Sequence, residues 1–295
     1  MTAEPILTRE IASLPPRSED AHKGDVGRVV IIGGCCDADV AMAGAPALTA
    51  NAAFRSGCGL VQVVTPELLR SAVIGLAPCA TTRSIPNDVD SLLRFVSEFE
   101  ADVVAFGPGL GDTITVETGE AFLSRCPCPL VVDADGLNLM VKSAAVRFSD
   151  PSRVILTPHP GEAKRLLAAV GRDLTLERSP TSRRQAACAL HDIYRCVIVL
   201  KGRGTIVTNG DRLYVNGTGN AGMATGGSGD VLTGIIAALV GQGLECFEAA
   251  ILGVFLHGLA GDFAAEELGR YSMTALDIIE YLPEAFSEHE MTTNE

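Results

Sequence analysis

The chain has 295 residues, 47% apolar and 20% charged, and a net charge of −13 with a pI of about 4.8. That is the composition of a folded globular protein and not of a disordered one. The acidic balance speaks against nucleic acid and anionic membrane surfaces, both of which recruit Lys and Arg. A small anion held by backbone N–H groups stays open.

Residues 1–27 read as an extended or poorly ordered arm, because Pro15-Pro16 and the charges around Glu19 and Asp20 fit no periodic element. The first ten residues contain no apolar segment of the kind that directs secretion. No apolar run reaches the roughly 18 residues of a membrane helix, and Gly, His and Asp interrupt the C-terminal helical stretches. The nine cysteines are an odd number without a Cys-x-x-Cys; Cys35-Cys36 and Cys126-Pro127-Cys128 are the close pairs. The expectation is a cytoplasmic protein whose thiols are reduced and act as small buried apolar groups.

From Arg28 onward the pattern alternates. The continuous β-branched run 28–32 is a buried strand of a parallel sheet, ending in Gly33-Gly34. A helix follows over 46–56 and a strand over 60–64. Residues 92–99 are helical, 103–106 a strand ending in Gly107-Pro108-Gly109-Leu110-Gly111, and 116–123 a helix. The strand 129–132 ends in Asp133-Ala134-Asp135-Gly136, and the strand 154–156 in Thr157-Pro158-His159-Pro160-Gly161-Glu162, which opens a helix. A helix over 183–195 leads to a strand over 196–200 that ends in Lys201-Gly202. Strands over 205–208 and 212–215 flank the hairpin signal Asn209-Gly210. Helices fill the rest from Gly229. Strands alternating with helices predict an α/β fold with a mostly parallel sheet, as one domain over 28–295. The Gly, Asp, His and Lys residues collect just after strand ends, where open α/β sheets bind ligands.

Neither Gly33-Gly34 nor the 107–111 turn has the spacing of a dinucleotide fingerprint. Each is a tight strand-to-helix turn or backbone lining a cleft. Asp133 and Asp135 either cap the next helix or hold Mg2+ indirectly. His159, stiffened between two prolines, is a ligand contact or a structural histidine, and Glu162 can simply stabilise a helix N-terminus. Lys201, beside Gly202 and Gly204, balances phosphate charge or sits in a solvated turn.

The most specific stretch is Gly219-Asn220-Ala221-Gly222-Met223-Ala224-Thr225-Gly226-Gly227-Ser228-Gly229-Asp230, followed by an apolar helix. Unpaired N–H groups at a helix start form an anion site. A carboxylate there is out of place unless it handles a proton or a metal. No Gly-Lys-Ser/Thr closes the loop, so it is not a Walker A loop. It reads as a phosphoryl-transfer loop in which Asp230 takes the proton of an attacking hydroxyl.

Gly-Gly-Ser-Gly-Asp-Val-Leu-Thr-Gly over 226–234 resembles the glycine-loop signature of the ribokinase-like superfamily, whose Asp is the catalytic base. The ordered set His22-Lys23-Gly24, Gly27, Gly44-Ala45, the 107–111, 132–136 and 156–162 turns, Lys201-Gly202 and the 220–230 loop resembles the ADP-dependent NAD(P)H-hydrate dehydratases. The likeness runs from about His22 to the last helices. It implies a ribokinase-like three-layer α/β/α sandwich and a lyase that repairs hydrated NADH or NADPH. ADP would phosphorylate the ring hydroxyl of the 6S hydrate and phosphate would leave, restoring NAD(P)H with AMP. Asp230 would be catalytic. Ala45, Gly107, Gly109, Gly111, His159, Pro160, Gly161, Glu162 and Arg165 would join it around the hydrate. Lys201, Gly202, Arg203, Gly204, Thr205, Asn220, Gly222, Met223, Ala224, Thr225, Gly226, Gly227, Ser228 and Gly229 would hold the nucleotide. Mg2+ is implied as cofactor, with no residue assigned as its ligand, and a homotetramer as the assembly. Residues 1–27 offer no epimerase domain of the kind many bacterial relatives carry, so a separate epimerase, or spontaneous epimerisation, is expected to supply the 6S hydrate. Where the family usually has Ser after Gly33-Gly34, this chain has Cys35-Cys36-Asp37.

Overall fold

The computed structural model describes residues 5–143, 145–172 and 179–293. The first elements are β1 (Ile6–Thr8), β2 (Arg28–Ile32), α1 (Gly44–Arg55), β3 (Leu60–Thr65), α2 (Arg70–Leu76) and β4 (Thr81–Ser84). Then come α3 (Val89–Glu98), β5 (Val103–Phe106), α4 (Val116–Arg125), β6 (Leu130–Val132), α5 (Asp135–Ser143), β7 (Val154–Leu156) and α6 (Pro160–Ala169). The last are α7 (Pro180–Tyr194), β8 (Val197–Leu200), β9 (Ile206–Thr208), β10 (Arg212–Val215), α8 (Ser228–Gly241), α9 (Cys246–Leu268) and α10 (Ala275–Thr293).

Among the described residues the strands form one sheet in the order β1-β10-β9-β8-β7-β6-β5-β2-β3-β4. Only β9 runs antiparallel to its neighbours β8 and β10. The buried strands alternate as a period of two requires. Val29 and Ile31 face one core and Val30 and Ile32 the other; Val197 and Val199 oppose Ile198 and Leu200 in the same way. The first core is covered by α1, α2, α8, α9 and α10, the second by α3 to α7. The result is the three-layer sandwich with a mostly parallel sheet.

Four features differ from the sequence reading. Ile6–Thr8, which carries no periodic signal, pairs with β10 at the sheet edge through Ile6↔Arg212 and Thr8↔Tyr214. The polar, half-exposed edge strand β4 and the short α2 have too little apolar pattern to be seen. The loop ending in Asp230 is shorter than its glycines suggest: Gly227, at φ +90°, is the N-cap, so Ser228, Gly229 and Asp230 form the first turn of α8. Finally, α9 runs unbroken through Gly253, His257, Gly258, Gly261 and Asp262. By length and composition α9 would cross a membrane, but 72% of its apolar window is buried inside the fold. It is a core helix, and its glycines are contact points. A side chain on Gly253 would strike Ile236 at 2.6 Å, and one on Gly261 would strike Met223 at 2.5 Å.

The glycine that ends the 226–234 signature has the same origin. A Cβ on Gly234 would lie 2.2 Å from the Thr49 carbonyl oxygen and 2.8 Å from Ala52 Cβ. There α1 and α8 touch nearly backbone to backbone, which also lets Thr49 Oγ1 donate to the Asp230 carbonyl at 3.1 Å. Gly234→Ala is expected to destabilise the protein by about 3 kcal/mol, the upper part of the overpacking range, despite the better helix propensity of Ala. Urea unfolding measures this, and a variant as stable as the parent would contradict so close a contact.

Candidate active site

The carboxyl ends of β2, β5, β6, β7 and β8 bring the glycine turns and polar side chains together. At the end of β6, Ala134 takes φ +49° without being glycine, a conformation that costs about 1–3 kcal/mol. The reversal sends Asp133 and Asp135 to different partners. Asp133, with its side chain 2% exposed, lies 2.5 Å from Lys201 Nζ and accepts from Thr233 Oγ1 of α8 at 2.9 Å. It therefore ties β6 to the loop after β8 and to the helix carrying Asp230. Asp135 instead accepts from the Gly111 N–H at 2.8 Å and from Asn138 Nδ2 at 3.0 Å. Asn138 Oδ1 in turn accepts from Arg165 at 2.8 Å. Neither aspartate is merely a helix cap: one is half of a buried ion pair, the other anchors the 107–111 turn.

Asp230 is the third residue of α8 and half-buried. Burial, with the nearby negative charge of Asp133, pushes its carboxyl up to about 7, although Lys201 opposes the shift. At neutral pH it is poised between acid and base, the condition for general-base work. On one side of Asp230 lies Gly229, which brings the loop backbone against Lys201. A Cβ there would come within 3.3 Å of Nζ. Thr49 Oγ1 links the Asp230 carbonyl to that of Ala45 in α1, and Ala45 packs against Gly109 of the 107–111 turn held by Asp135.

Beside Lys201 opens a cleft of about 750 Å³, the size of a small-molecule site. One wall is Lys201, Gly202, Arg203, Gly204 and Thr205; the other includes Asn220, Met223, Ala224, Ser228 and Gly229. His159 and Pro160 stand at its edge. The structure uses His159 as the N-cap of α6. Its Nδ1 accepts from the N–H groups of Gly161 (3.0 Å) and Glu162 (3.4 Å), and Glu162 accepts from the His159 N–H at 2.7 Å. The other ring nitrogen, Nε2, lies 3.4 Å from Glu162 Oε1, so both nitrogens face this helix start. Burial and the cations Lys201 and Arg165 lower the His159 pKa, keeping the ring neutral. Burial raises that of Glu162.

Some residues expected at the nucleotide stand behind the wall. A side chain on buried Gly222 would strike Met273 and the Arg270 backbone, and one on half-buried Gly227 would strike Leu48. Thr225 and Gly226 are not among the cleft-lining residues. Asn220 reaches the cleft, but its side chain is engaged by the N–H of Gly222, the Gly261 carbonyl and Asp262. Gly107, Gly109 and Gly111 all have positive φ. Gly109 faces Ala45 and Met42, and Gly111 faces Cys35, so together they build the second wall.

Sequence reasoning missed Thr233, three residues after Asp230 and so on the same helix face, which helical spacing alone would have suggested. It also missed Arg183 and His257. His257 lines the cleft from within apolar α9 and sits 3.4 Å from Ser228 Oγ; burial pushes its pKa down to about 4. Nothing in the run around His257 distinguishes it from a core residue.

The model of the NAD(P)H-hydrate dehydratase family matches residues 29–284. The chain is 38% identical to the ADP-dependent (S)-NAD(P)H-hydrate dehydratase of Neisseria meningitidis, over 86% of this chain and 82% of that one. It is 40% identical to the bifunctional NAD(P)H-hydrate repair enzyme of Moorella thermoacetica, over 92% of its own length. It spans about half the length of that relative and similar ones, 51% in this case. Among solved structures, the ADP/ATP-dependent NAD(P)H-hydrate dehydratase of Bacillus subtilis, co-crystallised with ATP and Mg2+, superposes with a TM-score of 0.78 at 28% identity, covering 94% of this chain and 95% of that one. With its ribokinase-like fold, this chain belongs to the NAD(P)H-hydrate dehydratase family.

Proposed function

We propose that the chain is an ADP-dependent dehydratase of (6S)-NAD(P)H hydrates, a metabolite-repair enzyme. The observation that carries this reading is the place of Asp230: a carboxyl held near neutrality, next in the chain to Ser228 and Gly229, which line a nucleotide-sized cleft with Lys201. The hydrate rests against Ala45 and the 107–111 turn, with His159, Pro160, Gly161, Glu162 and Arg165 around it. Its C6 hydroxyl gives its proton to Asp230 and attacks the terminal phosphoryl group of ADP, and AMP leaves. The new C6–O–phosphate bond then breaks, phosphate takes the bonding pair, and the neighbouring ring carbon loses a proton. The ring double bond returns. Lys201 and the first turn of α8 face the charge that builds on the transferring group.

No cage of three His, Cys, Asp or Glu side chains is present among the described residues. Mg2+ needs none, since it takes one or two carboxylates with waters and phosphate oxygens. Both Asp133 oxygens are taken by Lys201 and Thr233, so Glu162, near Lys201, is the carboxylate that would hold it. Bound there, the ion would neutralise phosphate charge.

The direct assay is the return of reduced-nicotinamide absorbance from hydrated NADH or NADPH with Mg2+ and either ADP or ATP. ADP is expected to support turnover, and no return with either nucleotide would exclude the reading. A separate hydrate epimerase working alongside this chain is part of the same proposal.

A further inference from the structure

We propose that Arg183 is a positioning residue for the nucleotide: from the far side of the cleft wall it shapes the loop after β8 into a phosphate-binding concavity. This rests on the reading of the cleft as a nucleotide site. Arg183 lies near the start of α7 and never lines the cleft. Its guanidinium donates to four backbone carbonyls of one short loop. Nη2 reaches the oxygens of Leu200 (3.1 Å) and Lys201 (3.2 Å); Nη1 reaches Gly204 (3.1 Å) and Arg203. Among the described residues no carboxylate pairs with it, so its charge goes to peptide dipoles alone.

The planar trans peptide converts this grip into a direction. In each unit the N–H points opposite to the preceding carbonyl. Carbonyls of Lys201, Arg203 and Gly204 drawn toward Arg183 therefore turn the N–H groups of Gly202, Gly204 and Thr205 away from it. Those three residues line the cleft, and among the described residues nothing accepts from their N–H groups. Gly202 and Gly204 hold φ +129° and +63°, the kind of backbone that gathers N–H groups around an anion. The fit behind the wall is close, since a Cβ on Gly202 would lie 3.3 Å from Arg183 Nη2. The uncompensated cation also cancels the negative ends of four carbonyl dipoles that would otherwise repel phosphate. A lysine could not replace it, because a point charge cannot span four acceptors as a planar fork does.

Calorimetric titration with AMP and ADP in Mg2+ tests this on the full chain and on Arg183→Lys and Arg183→Ala. Both substitutions are expected to weaken nucleotide binding at least about tenfold, the scale of one lost charge-assisted hydrogen bond, while the KM for the hydrate changes less than about twofold. Added methylguanidinium is expected to restore nucleotide affinity to Arg183→Ala, and methylammonium is not. A purely structural role predicts no such discrimination. Nucleotide affinity of Arg183→Lys within about twofold of the parent overturns the proposal alone, as does an Arg183→Ala defect that no guanidinium relieves. A parent chain that binds no adenine nucleotide overturns the proposal together with the functional reading beneath it.

Discussion

Asp230→Asn is expected to lower kcat by about 10²–10⁴-fold, the range of a lost general base, with nucleotide affinity retained. The amide keeps the shape at the third position of α8 but cannot take a proton. The pH dependence follows from the same group. In the free enzyme Asp230 loses its proton near pH 7, so kcat/KM is expected to rise with pH through about 7 and level off above. Stability moves the opposite way. The folded carboxyl lies near 7, against 3.8 for the free group. Between about pH 4 and 7 the folded state therefore holds a proton that the unfolded chain has released. Stability falls as pH rises through that window and stays low above it. Asp230→Asn removes this penalty. The variant is expected to melt higher than the parent at pH 8 and at about the same temperature at pH 4. Equal melting at pH 8, or an active Asn variant, would show that Asp230 is neither destabilised nor the base.

Lys201→Met is expected to cost about 3–5 kcal/mol of stability and most of the activity, because it removes one partner of a buried ion pair. The side chains of Lys201 and Asp133 are only 17% and 2% exposed. Without Lys201, Asp133 retains Thr233 but no counter-charge. Lys201 also holds the Asp230 carboxyl down against burial and Asp133, so the acidic limb of any residual kcat/KM profile is expected to move to higher pH. The double variant Lys201→Met/Asp133→Asn separates the two roles. Removing both charges spares the desolvation of an unpaired carboxylate, so stability is expected to recover substantially. Turnover is expected to stay low, since the cation facing the transferring phosphoryl is gone. A Lys201→Met protein with the parent's denaturation midpoint, or one whose limb does not move, would contradict this account.

The two variants probe residues that were legible in different ways. Asp230 stands out in the sequence because a carboxylate closes a glycine-rich helix start, a local pattern. Lys201 and Asp133 each stand out as strand-end residues, but their pairing does not. They are 68 positions apart in the chain, and Asp133 and Thr233 are 100 apart. These contacts exist because the sheet order sets β6, β7 and β8 side by side and α8 packs against β2, β5 and β6. His159 shows the same division. Its stiff Pro-His-Pro setting is plain in the sequence, yet whether it caps a helix or meets a ligand depends on where Glu162 folds back.

By itself the sequence determined what repeats locally: β-branched runs bounded by glycines, hence an α/β chain with functional groups at strand ends, and the signature that places it in its family. The tertiary structure alone decided which of those groups meet. It made Asp133 the partner of Lys201, put Arg183 behind the cleft wall, set His257 at the cleft and drew Ile6–Thr8 into the sheet edge. The physical reason is one of range. Periodicity and turn chemistry act over a few residues, whereas ion pairs and carbonyl clamps across strand-end loops depend on sheet order and helix placement, which only the packed whole sets.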